Sequence, residues 1–417
     1  MSKLIKFEVV FSQTQAIYYP GQTIQGHLTV ELNDTMKMRG IRLRFQGKAE
    51  VEWTEGSGDN EEEYSEKEQY FKDDILLDGR GSDASGAKLH LTAGRHTYPF
   101  TYPLPQDIPS SFEGKYGYVR YFAKGIIDKP WKFDHETMKC FTVICPLDLN
   151  QETRATMPEK DSKSKTICCL CCQSGPITAT FTIDRQGYVP GEVIILKAEI
   201  ENMSDGPIDS SSVTLTMETT FLAEGESKTT FEKVAKLQHE PILMGDHDYW
   251  NGDQLAIPPL PPTYLKSCTI IDIQYTLTLK VSPPGLSIDL DIDLPVIIGT
   301  IPLQSVPDRH PPITHPGPAV YTETTFSYPT PPAYPPGESL PPGRDKFAQG
   351  AGYAPPPYPP ESPTASPNLP PPSYEECVFG RVNITEKEDS EHLHGDKYFA
   401  PVYTYYDWGH KATAPPE

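Results

Sequence analysis

Three copies of Pro-Pro-x-Tyr lie in the last third of the 417-residue chain. They are Pro331-Pro332-Ala333-Tyr334, Pro355-Pro356-Pro357-Tyr358 and Pro371-Pro372-Ser373-Tyr374. Each proline fixes φ near about −65°, so such a segment is pre-set as a left-handed polyproline helix and has little entropy left to lose on docking. The aromatic-lined grooves of WW domains read peptides of this kind. The tyrosine two positions after the second proline adds a rigid ring with a polar tip. Three copies within 44 residues point to WW docking, carried by Pro331, Pro332, Tyr334, Pro355, Pro356, Tyr358, Pro371, Pro372 and Tyr374, rather than to an inert spacer. The tyrosines are 24 and 16 residues apart. A flexible chain of that length spans roughly 20–30 Å. The copies are therefore expected to bridge neighbouring WW domains on one partner and to gain avidity.

A fourth copy, Pro261-Pro262-Thr263-Tyr264, directly precedes the alternating run Leu265 to Val281. A segment folded into the start of a strand cannot offer both proline rings and the tyrosine to a groove. It is expected to be a turn, with Tyr264 packed on the sheet.

The elements that must carry these motifs divide sharply. Of 45 prolines, 26 fall from Pro302 onward. Residues 304–417 are Pro-rich and short of aliphatic runs, and are expected as a disordered tail. Upstream, short period-two runs such as Phe7-Glu8-Val9-Val10-Phe11 and Ile41-Arg42-Leu43-Arg44-Phe45 are broken by Gly, Pro, Asn and Asp. No segment there keeps a helical period for three turns, so the expected class is all-β, built as sandwiches. Tyr18-Tyr19-Pro20-Gly21-Gln22 recurs as Tyr188-Val189-Pro190-Gly191-Glu192, at an offset of 170 residues, about one domain length. Two tandem sandwiches are expected, 1–150 and 175–303, joined by the polar stretch Asn150 to Thr166.

The net charge of −21 makes the chain a poor ligand for nucleic acid. Its start shows no secretory signal, and no run approaches 18 apolar residues. Its eight cysteines are then expected as reduced thiols in the cytosol. Four cluster at Cys168, Cys169, Cys171 and Cys172. A zinc site is disfavoured, because neighbouring side chains in an extended segment alternate in direction and no second cysteine pair accompanies them. Palmitoylation beside Lys160, Lys163 and Lys165 would give two membrane signals. The plain alternative is small apolar residues in the strand leading into the second domain. No Gly-x-Ser-x-Gly, His-Glu-x-x-His or phosphate-cradling loop is present, so neither catalysis nor a cofactor is expected. The aromatic run Tyr398 to Trp408 has two readings, a fold-back onto the sandwiches or a short linear motif.

The order of the pieces resembles the arrestin domain-containing proteins, the α-arrestins. The resemblance rests on Tyr19-Pro20-Gly21, Ser111-Phe112-Glu113-Gly114-Lys115-Tyr116-Gly117-Tyr118-Val119-Arg120-Tyr121, Ser174-Gly175-Pro176-Ile177, Ile257-Pro258-Pro259-Leu260-Pro261-Pro262 and Leu294-Pro295-Val296-Ile297-Ile298-Gly299, followed by the Pro-Pro-x-Tyr tail. It covers essentially the whole folded part. It implies two arrestin-like sandwiches of seven or eight strands each. It also implies an adaptor that brings WW-containing HECT-type ubiquitin ligases to transmembrane cargo for ubiquitylation, endocytosis and endosomal sorting. The implied location is the cytoplasm, with recruitment to plasma membrane and endosomes. Two departures narrow the resemblance. The thioredoxin-binding branch uses a cysteine where this chain has Met244-Gly245-Asp246-His247-Asp248-Tyr249-Trp250, and no complete Pro-Ser/Thr-Ala-Pro budding motif occurs. The rival readings are a thiol-linked regulator and an SH3 scaffold, the latter resting on Arg344 after Pro341-Pro342.

Overall fold

Alternation becomes burial as the period requires. In the strand Leu4–Phe11, Phe7, Val9 and Phe11 face inward; in Gly40–Glu55, Ile41, Leu43 and Phe45 do. The computed structural model describes residues 3–79, 89–130, 133–169, 172–283, 289–305, 373–385 and 393–408. Among them the elements are strands apart from two short 3₁₀ turns, Gly58–Asn60 and Thr153–Thr156.

Each half is a two-sheet sandwich. In the first, Leu4–Phe11, Thr23–Leu32 and Gly94–Pro103 form one sheet. It packs on a second sheet ordered Ile17–Tyr18, His135–Val143, Gly117–Asp128, Gly40–Glu55 and Glu62–Gly79. Phe45 stacks on Tyr102 with centroids 4.2 Å apart, and Phe11, Tyr18 and Phe141 meet edge to face. In the second half, Glu159–Cys169, Cys172–Ile183, Val193–Asn202 and His247–Ala256 face Gly187–Tyr188, Leu290–Ile298, Ile271–Ser282, Ser210–Ala223 and Glu226–Gln238. In Leu290–Ile298 burial alternates as far as the exposed Pro295, after which Val296, Ile297 and Ile298 are all buried.

The all-β, two-sandwich expectation holds, with two amendments. The joining segment is in part structured, since Glu159–Cys169 is the outer strand of the second domain's first sheet. That domain therefore starts well before residue 175 and has nine strands among the described residues, not seven or eight. The strand escaped the alternation test because its residues up to Thr166 are all exposed or half-exposed, a charged edge of the sort that prevents sheet-to-sheet pairing. The tail is also not uniformly without structure. Ser373–Glu376, Val382–Asn383, Leu393–Gly395, Tyr398–Phe399 and Val402–Tyr405 are strands.

The 170-residue repeat is structural. The Tyr19 amide donates to Gln22 Oε1 at 3.0 Å, and the Val189 amide to Glu192 Oε2 at 2.8 Å. The repetition extends to contacts that the sequence did not show. Tyr121 donates its hydroxyl to the Pro109 carbonyl (2.7 Å), as Tyr275 does to Pro261 (2.8 Å). The Val143 amide donates to Ser111 Oγ, as Ile298 does to Thr263 Oγ1. Removing either buried hydroxyl leaves a carbonyl without its partner. Tyr121→Phe and Tyr275→Phe should each cost about 1–3 kcal/mol in urea unfolding, in the same direction in both domains.

His239 lies 3.8 Å over Trp250, with Nδ1 2.9 Å from Asp248 and Nε2 3.4 Å from Asp253. Burial alone would lower its pKa, but the hydrogen bond and charge of Asp248, helped by Asp253, hold it above the ordinary value. A raised histidine stabilises the fold fully below the unfolded-state pKa of about 6.5 and loses that contribution as pH rises through the folded value. His239→Gln should therefore lower the melting temperature more at pH 6 than at pH 9. An equal loss at both would overturn the assignment.

Candidate functional site: the tail and its seat on the body

Of the nine Pro-Pro-x-Tyr residues expected to bind partners, Pro331, Pro332, Tyr334, Pro355, Pro356, Tyr358, Pro371 and Pro372 lie outside the described residues. So does Arg344. Tyr374 is described, and it is not free. It sits in Ser373–Glu376, paired antiparallel with Val402–Tyr405, with Tyr374 opposite Thr404. Its hydroxyl is 2.7 Å from that of Tyr19, at the rim of a hollow that also includes Gln13, Ile17 and Gln22. Burial, then the bond to Tyr374, raises the Tyr19 pKa, so this hydroxyl stays protonated at physiological pH.

The aromatic run folds back, deciding between its two readings. Tyr403 is buried and donates to the Ser111 carbonyl at 2.9 Å. The Val402 amide donates to Thr142 Oγ1 at 3.3 Å. Tyr406 donates its amide to the Pro190 carbonyl at 3.1 Å and its hydroxyl to the Thr300 carbonyl at 3.0 Å. Tyr406 and Trp408 complete an apolar cluster with Leu149, Val189, Ile297 and Leu303, drawn from both sandwiches. Further upstream, Leu393–Gly395 adds a parallel strand beside His135–Val143, and the Asp396 carboxylate accepts from the Cys140 amide at 3.1 Å.

Two glycines admit this backbone. At Gly191, φ is +94°, and a Cβ would lie 1.9 Å from the Tyr406 carbonyl oxygen. At Gly395, φ is +92°, and a Cβ would lie 2.1 Å from the Met138 oxygen. Glycine alone tolerates both the angle and the approach. The sequence did not reveal Tyr19, Ser111, Thr142, Gly191 and Thr300 as the seat. Its only trace was the density of aromatics from Tyr398 to Trp408.

The fourth copy behaves as expected of a turn. Pro261, Pro262 and Thr263 are buried, and the Thr263 amide donates to the Ile298 carbonyl. The expected packing of Tyr264 on the sheet is not found: its side chain is exposed. The residue adopts φ +55°, and its hydroxyl accepts a 2.6 Å hydrogen bond from Arg154 Nη2 at the surface.

Cys168 and Cys169 close one strand and Cys172 opens the next, with Cys169 opposite Cys172 in the antiparallel pair. Cys171 lies outside the described residues. Among the described residues, no group of His, Cys, Asp and Glu is arranged to hold a metal ion, and no helix is long and apolar enough to cross a membrane.

Comparison with known proteins agrees with this architecture. Residues 7–150 match the family described as "Arrestin (or S-antigen), N-terminal domain", and residues 173–303 match the corresponding C-terminal domain. The chain is 30% identical over 318 residues to arrestin domain-containing protein 17 of Caenorhabditis elegans, covering 72% of each. It is 30% identical over 352 residues to human arrestin domain-containing protein 4, covering 83% of this chain and 82% of that one. Human thioredoxin-interacting protein is 29% identical over 301 residues, covering 72% and 75%. With two arrestin domains in tandem and relatives of this kind along most of its length, the chain belongs to the α-arrestin family of arrestin domain-containing adaptors.

Proposed function

We propose that this adaptor links WW-containing HECT-type ubiquitin ligases to transmembrane cargo, promoting ubiquitylation, endocytosis and endosomal sorting. It would act without chemistry of its own, from the cytosol and at plasma and endosomal membranes. The observation that carries the reading is the contrast between four copies of one motif. The copy at Tyr264 is built into the fold with both prolines buried, whereas the copies at Tyr334 and Tyr358 recur in the Pro-rich stretch 306–372 and a third runs from its end into the strand at Tyr374. The arrestin body is the natural cargo-facing part. The cysteine cluster where Glu159–Cys169 meets Cys172–Ile183, on the strand that carries Lys160, Lys163 and Lys165, supports reversible acylation as an added membrane anchor.

The test is capture from cell lysate. Wild-type and Tyr264→Ala chains should retain a WW-containing ligase, and a chain with Tyr334, Tyr358 and Tyr374 all changed to Ala should lose it. Retention by the triple variant would sink the proposal.

A thiol-linked role, suggested by the likeness to thioredoxin-interacting protein, has weaker support. The stretch Met244 to Trp250 lacks a cysteine. The described thiols of Cys140, Cys145, Cys268 and Cys377 all have pKa values raised by burial, Cys377 to about 12, which disfavours the reactive thiolate.

A further inference from the structure

We infer that the third Pro-Pro-x-Tyr copy is a gated site: the body holds Tyr374 in a clasp, and a WW domain can occupy that copy only after the clasp has opened. The inference rests on the WW-docking reading and adds regulation to it.

The two states exclude each other. A WW groove takes its ligand as a polyproline helix, which makes no backbone hydrogen bonds of its own, with the prolines and tyrosine laid against aromatic rings. Here Ser373–Glu376 is a β-strand whose backbone groups pair with Val402–Tyr405. The Tyr374 ring is half-buried and its hydroxyl is engaged by Tyr19. The Ser373 hydroxyl adds a 3.1 Å bond to the Tyr405 carbonyl. A WW domain cannot close over Tyr374 without separating it from both Thr404 and Tyr19.

The clasp is seated by features built for it. The partner strand is fixed at one end by Tyr403 on Ser111 and Val402 on Thr142, and at the other by Tyr406 on Pro190 and Thr300. The twin turns show that this seat is particular to one place. Gly21 and Gly191 occupy equivalent positions with similar φ, +79° and +94°. A Cβ at Gly21 would approach only the Gln106 side chain, at 3.3 Å, whereas one at Gly191 would strike the tail backbone. The clasp thus uses space that the repeat itself does not require.

The first two copies precede this region in the sequence, within the stretch 306–372 that lies outside the described residues. Whatever the first two copies bind, the third copy joins only when residues 393–408 leave the body. Release would uncover Ser111, Thr142 and the Val189–Gly191 turn together, so full WW occupancy and a changed body surface become one event.

The experiment uses full chains and a single isolated WW domain of the ligase, so that avidity cannot contribute. One variant, Tyr334→Ala/Tyr374→Ala, keeps only the second copy. Another, Tyr334→Ala/Tyr358→Ala, keeps only the third. The third-only chain should bind about tenfold or more weakly, as expected when a competent state is populated at a tenth or less. Opening the clasp should bring it to the second-only affinity, either by deleting residues 393–417 or by Tyr403→Ala/Tyr406→Ala within the otherwise complete tail. The second pair of substitutions covers the case in which the deletion fails to fold. Equal binding by the two uncut chains would overturn the gate while leaving WW docking intact. So would a third copy that stays silent after opening. If the second-only chain does not bind, the WW reading fails and the gate with it.

Discussion

Glu192→Ala will destabilise the second domain by about 3–5 kcal/mol, the cost of leaving a buried charge without its partner. Glu192 and Arg185 are 2.7 Å apart, with side chains 0% and 4% exposed. The guanidinium also lies 4.0 Å from the Tyr188 ring centre. The same carboxylate caps the Val189 amide, so one substitution abandons a charge and a backbone donor together. Gln22 in the first domain makes the matching bond to Tyr19 without a charge to neutralise. Gln22→Ala should therefore cost only about 0.5–1.5 kcal/mol. Replacing both charged partners, Arg185→Met with Glu192→Leu, should recover most of the loss, because well-packed apolar groups often substitute for a buried ion pair without penalty. Urea unfolding of the four chains decides it. A mild effect of Glu192→Ala, similar to Gln22→Ala, would mean that Arg185 finds water when its partner is gone.

The second large effect is in binding. Against a tandem pair of WW domains, loss of Tyr334 or Tyr358 alone should weaken binding noticeably. Loss of both should collapse it by on the order of 10²–10⁴, because linked contacts multiply through effective concentration. Tyr374→Ala alone should have the smallest effect of the three single changes, since the clasp already withholds that copy. Titration calorimetry separates the outcomes. Strictly additive free-energy losses, or a Tyr374 effect equal to the others, would contradict linkage and gate respectively.

The sandwiches were legible because burial on one face imposes a period of two, and the Pro-Gly turns announced their own duplication. The turn at Pro261-Pro262 was legible because a strand signal follows it at once, but the exposure of Tyr264 was not, since its side chain turns to Arg154 instead of the sheet. The strand Glu159–Cys169 was hidden because its residues up to Thr166 bury no face, so it leaves no apolar rhythm to read. The clasp was hidden for another reason. Tyr374 pairs with Thr404 and Tyr19 across sequence separations of 30 and 355 residues, and nothing local in Ser373–Glu376 distinguishes a docked tyrosine from a displayed one. The aromatic run hinted at burial, but the matching seat is made of backbone carbonyls at Ser111, Pro190 and Thr300, to which side-chain type gives no clue.

Leu393–Gly395 lies along the outer edge of His135–Val143 at Glu136, Thr137 and Met138. An unpaired strand edge of this kind is a template for joining another chain. The tail is therefore also a guard against self-association: each molecule that lets it go bares an adhesive margin and the apolar seat of Tyr406 and Trp408 at once. At high local density, as on a crowded membrane, neighbouring open molecules would meet edge to edge. Clustering would then grow steeply with concentration in chains lacking residues 393–417 and stay flat in complete ones.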